Sequence, residues 1–137
     1  MRAYLLGGLV AAALLVAAGN TTAHHSFAAE FDANKPITLT GTVTKIEWTN
    51  PHVWFYINVK DDAGKVVNWG AEMGPPHGLQ RRGWRRETLK IGEQVTVQGS
   101  LAKNGSKRMN ARQVTLTKTG GRPGETLDAA SSQGDSN

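Results

Sequence analysis

Cysteine is absent from all 137 residues. That excludes disulfides, thiolate zinc sites, iron–sulfur clusters, a thiol nucleophile and a lipoprotein anchor. Aromatic residues are scarce at 7%, while glycines number 16, a balance that points to a turn-rich β protein rather than a helix bundle. Acids are the smaller charged class, 11 against 16 Lys and Arg, for a formal charge of +5; this suits an anionic partner without naming one. No apolar run reaches the length of a comfortable membrane-spanning helix: the longest, Leu5–Ala18, has about 14 residues against the about 20 required. Catalytic groups are missing too. No Gly-rich phosphate loop follows a strand, no carboxylate pair stands out, and Ser26 beside His24 and His25 lacks the third group of a triad.

What is present begins with a leader. Arg2 precedes the Leu5–Ala18 run, and the short polar stretch Gly19–Ala23 follows it, the three parts of a secretory signal peptide over residues 1–23. Cleavage after Ala23 leaves a mature chain starting His24-His25-Ser26-Phe27; cleavage after Ala18 also satisfies the small-residue rule and would leave Gly19 first. Loss of Arg2 lowers the charge by one from +5. The expected location is periplasmic or secreted, with no transmembrane span after processing.

Beyond a short N-terminal arm (residues 24–36), the pattern turns to a period of two. Ile37, Leu39, Gly41 and Val43 alternate with threonines, the signature of a half-buried strand. The parity then flips to Ile46 and Trp48, which predicts a bulge near Thr44-Lys45. Val53, Phe55, Ile57 and Val59 form a second strand, and Asp61–Gly64 a hairpin turn. A third strand covers Lys65–Glu72, with Val67, Trp69 and Ala71 inward. Pro76 opens a short helix, and strands follow over Gln94–Ala102 (Val95, Val97 and Leu101 on one face) and Arg108–Lys118. The expectation is an all-β, five-stranded, OB-like Greek-key barrel over residues 37–118, with one short helix between strands 3 and 4. Residues 119–137 are polar and small and read as a disordered tail.

Three segments sharpen this. HHSFAAEFD after the leader, TGTVTKIEWTNPHVWFYI, and LKIGEQVTVQGSLAKNGSKRMNARQVTL resemble a domain-of-unknown-function family of exported bacterial proteins, over roughly Ala23 to Lys118. The resemblance implies export and a small OB-like barrel, and it implies no activity.

All four histidines follow the leader. A chain that starts with histidine can chelate one metal ion through its α-amine and its own Nδ1, and a second imidazole then completes a three-nitrogen site suited to copper. This is similar to the histidine brace of copper proteins, with His24 as the bidentate residue and His52 or His77 as the distal ligand. His25 is a substitute in a looser site. Phe27 and Phe31 would dock the arm and fix His24, as a metal site needs. Near His77, Met73 is a candidate soft ligand and Glu72 a candidate acceptor for a histidine N–H. The expected role is copper carrier or accessory.

A different class of function competes. Arg81, Arg82, Trp84, Arg85 and Arg86 group four guanidiniums around an indole, a pattern that fits a non-metal interaction module docking an anionic protein, glycan or lipid headgroup. Export argues against nucleic acid as the partner.

Overall fold

The structure, a computed structural model, describes residues 27–117 and 124–133. The leader over residues 1–23, His24, His25 and Lys118 lie outside the described residues. The class is all-β. Among the described residues there are six strands: β1 (Phe31–Glu47), β2 (Trp54–Lys60), β3 (Val66–Glu72), β4 (Gln94–Ala102), β5 (Arg108–Thr117) and β6 (Glu125–Asp128); a short helix, α1 (Pro76–Arg81), follows β3. Residues 27–30 add one helical turn ahead of β1.

The long β1 is shared. Its first half pairs antiparallel with β4, from Pro36↔Ser100 to Thr42↔Gln94. Its second half pairs with β2 across a bulge between Val43 and Lys45, where the parity flip places it. β3 pairs with β2 antiparallel and with β5 in a short parallel stretch, Gly70↔Arg108 to Glu72↔Asn110. With β4–β5 the pairings close a ring, β1–β2–β3–β5–β4. Inside it pack Val43, Phe55, Ile57, Ala71, Val95, Val97 and Val114, all essentially inaccessible, so the period-two faces point as read. Leu101 does not share that face fully: the ladder shifts register between Gln98 and Gly99, and Leu101 ends half-buried while Ser100 turns inward. The shift brings the backbones together, since a Cβ on Gly99 would lie 2.0 Å from the Asn110 carbonyl oxygen.

Two boundaries differ from the sequence expectation. β1 begins at Phe31, six residues before Ile37, because Phe31 is buried and pairs with Ala102. The tail over 119–137, expected to be disordered, contains ordered chain at residues 124–133. Within it β6 adds to β5, Gln113↔Asp128 to Leu116↔Glu125, making a sixth strand. Ala129 is fully buried behind it. The segment after β6 folds under the barrel: Gly74 N–H donates to Ala129 O (2.8 Å) and Ala129 N–H to Arg112 O (2.8 Å). Only glycine fits at position 74, where a Cβ would stand 2.3 Å from Ala130 O.

Candidate functional site

The turn after β1 and the end of β3 form one side of an open cleft of about 440 Å³, bounded by Glu30, Asn50, His52, Trp54, Glu72 and Arg108. Asn50-Pro51, joined by a cis peptide bond, lies in the turn after β1 and is followed by His52, which lines the cleft with its side chain about a quarter exposed. The following residue locks that position, because Val53 is fully buried and its N–H donates to Gly74 O at 3.1 Å.

His52 Nδ1 lies 2.9 Å from Glu72 Oε1. Glu72 ends β3 and is nearly inaccessible. Burial pushes its carboxyl up to about 7; the charge of Glu30 adds to the rise, and Arg108 and the Asn110 amide oppose it. Arg108, across the cleft, lies with its guanidinium carbon 4.4 Å from the centre of the Trp54 ring. With Nδ1 engaged by a carboxylate, the lone pair of Nε2 is what His52 offers to a ligand, the arrangement that metal-binding histidines commonly use.

The arm reaches the same cleft. Phe27 and Phe31 are both buried, their ring centroids 5.8 Å apart. Lys103 holds the turn between them: its backbone N–H donates to Glu30 O at 2.9 Å and its ammonium group to Ala28 O. Glu30 therefore stands on the cleft rim beside His52. His24 and His25, the other N-terminal candidates, lie outside the described residues.

The remaining candidates are dispersed. His77 is exposed on α1 and does not line the cleft. Met73 is buried in the core, so its thioether is a packing group and not a surface ligand. Among the described residues, no group of three or more His, Asp or Glu could hold a metal; His52 and Glu72 supply a pair. The arginine segment is corrected most. Trp84 is fully buried and its Nε1–H donates to Asp128 O at 2.8 Å, so the indole cannot stack on an incoming ligand. Arg82 is committed as well, its Nε lying 2.8 Å from Asp128 Oδ1 and its Nη1 donating to Gly78 O at 3.1 Å. Arg81, Arg85 and Arg86 are exposed.

The sequence reading missed Glu30, Arg108 and Asn110. Glu30 was legible between two docking phenylalanines. The other two enter through the parallel β3–β5 pairing, which no local pattern announces.

No helix among the described residues is long and apolar enough to cross a membrane. No curated protein matches the chain. Among solved structures, a ZRD-deleted mutant of TiaS in complex with agmatine is similar over 72% of this chain, at 22% identity and a TM-score of 0.46. The chain spans about a quarter of that protein, 27% of its length. The family profile that matches does so over residues 12–111, taking in the cleft, β1 to β4 and the start of β5; the chain belongs to a family of unknown function, DUF6152.

Proposed function

We propose that the chain is an exported β-barrel that binds copper, or a divalent ion of similar preference, through its processed N-terminus and acts as a carrier or accessory protein in the periplasm or outside the cell. His24 supplies its α-amine and Nδ1, and His52 supplies Nε2 as the distal ligand. One observation carries the reading: the docked arm and His52 border the same cleft through Glu30. His24 stands three residues before the buried Phe27, at most about 10 Å of extended chain. His77, exposed and away from the cleft, is the weaker choice. His25 remains as a substitute donor, and Met73 drops out.

The ring order supports reading the barrel as OB-like, with β6 as an addition to the five strands. The competing role as an anionic-partner module is weakened by the burial of Trp84, which leaves it four exposed arginines, one of them (Arg82) already paired with Asp128, and no aromatic surface within that segment.

Native mass spectrometry of the protein exported from its own leader in copper-supplemented cells tests this directly. The expected species starts at His24 and carries one copper ion. His24→Ala, His52→Ala or an added N-terminal Met should each lower copper affinity by orders of magnitude. A chain starting at Gly19, a metal-free His24 chain, or unchanged binding in these variants overturns the proposal.

A further inference from the structure

Behind the cleft lies a buried polar chain that runs from Glu72 through Asn110 to the segment after β6. Asn110, fully buried on β5, uses both ends of its amide. Its Nδ2 group donates to Glu72 Oε1 at 3.4 Å and to Ser132 Oγ at 3.3 Å. Its Oδ1 accepts from Ser131 Oγ. Ser131 is itself fixed, since its Oγ also accepts from Gln133 N–H at 3.1 Å. The same Oε1 of Glu72 faces His52 Nδ1 at 2.9 Å.

Two nitrogen groups thus converge on one carboxylate oxygen. An amide NH₂ can only donate, and both oxygens of an ionised carboxylate can only accept, so His52 meets the Glu72 carboxylate as a donor with its proton on Nδ1. A histidine's tautomer is set by the hydrogen bond its other nitrogen makes. The choice made here exposes the Nε2 lone pair. The serines that fix the amide come from the C-terminal segment, 21 and 22 residues further along the chain than Asn110.

We propose that Asn110 is a positioning residue, locked by Ser131 and Ser132, that aims Glu72 at His52 and thereby presents His52 Nε2 to the metal. The C-terminal segment is then part of the metal site without touching the ion. This rests on the copper reading for its purpose, and on the described residues alone for its geometry.

The test uses the exported, processed protein. Long-range ¹⁵N–¹H correlation spectra, recorded metal-free in alkaline buffer on the neutral imidazole, report the His52 tautomer. Wild-type protein and Glu72→Gln, whose amide oxygen can still accept, should show the proton on Nδ1. Glu72→Ala and Asn110→Ala should shift it toward Nε2. The double variant Ser131→Ala/Ser132→Ala, which leaves every core side chain in place, should do so partially. Copper affinity should follow in the same order, falling about 10–100-fold for Glu72→Ala and staying near wild type for Glu72→Gln. A wild-type proton on Nε2 overturns the proposal. So does an unchanged tautomer in both Asn110→Ala and the double serine variant. The expected tautomer pattern in a protein that binds no copper overturns the copper reading alone and leaves the positioning role standing.

Discussion

The two ends of the described chain are held in opposite ways. At residues 27–36 the arm lies on the barrel rim through two phenylalanines and through Lys103, which binds two of its carbonyls. After Phe31, ladder pairing with β4 does not resume until Pro36. At residues 124–133 the chain is instead threaded into the structure. β6 extends the sheet, Ala129 is buried, Trp84 and Arg82 both bind Asp128, and Asn110 is held by two serines. The first end is docked by two phenylalanines and one lysine, the second by a strand ladder and a set of buried polar partners. The difference predicts that the arm can be loosened while the barrel stands, whereas loosening the C-terminal segment costs the fold.

The sharpest way to break this comparison is at Trp84. Trp84→Ala removes the largest fully buried side chain and the bond to Asp128, and should cost about 3–5 kcal/mol in urea unfolding. A loss under about 1 kcal/mol, within the range of a surface change, would mean the C-terminal segment is no tighter than the arm. Next is Gly74→Ala, whose Cβ meets Ala130 O. The segment must shift, for a loss of about 1–3 kcal/mol, and proteolysis should then cut after β6 before it cuts the barrel. Phe27→Ala should cost less stability, about 1–2 kcal/mol, yet lower copper affinity as strongly as many ligand changes do, because it frees the arm that carries His24. Equal copper binding by Phe27→Ala and wild type would show that docking does not serve the site.

A smaller effect separates the cleft from both ends. Glu72 has its carboxyl raised from 4.5 to about 7 in the folded protein. The folded state therefore holds a proton that the unfolded chain has already released. This contribution to stability is complete below about pH 4.5 and is lost as the pH rises through about 7. In the metal-free protein, unfolding midpoints should fall across that window, and Glu72→Gln should flatten the slope. The smallest change expected is Asp128→Asn. It weakens a half-exposed pair with Arg82 and keeps the backbone carbonyl that Trp84 uses, so about 1 kcal/mol or less is at stake.

Much of the barrel was legible because its strands have one wet face and one dry one. Val53, Phe55, Ile57 and Val59 alternate cleanly and are all buried, and the parity flip after Val43 marked the bulge. Pro76 marked the helix start. β6 escaped because it is four residues long with Leu127 as its one large apolar side chain, too little for a period to register. Trp84 was misread because its neighbours are four arginines; sequence adjacency suggested a charged surface, while α1 and the turn after it rotate the indole inward and the guanidiniums outward. In the cleft, His52 and Glu72 were each noted, but as members of different clusters. Their meeting depends on β2 and β3 being neighbours and on a turn that places His52 beside the strand end, a matter of tertiary pairing that local sequence does not encode.

The bond from Trp84 to Asp128 spans 44 residues, and Gly74 waits for Ala129 from further away still. A ribosome must therefore pass Ala129 before the floor of the barrel can close. A product cut short ahead of Asp128 would carry an indole N–H and a backbone amide with no partners, and would be left open to proteases. Residues 128 and 129 thus act as an inspection step: the barrel becomes durable only once they are in place.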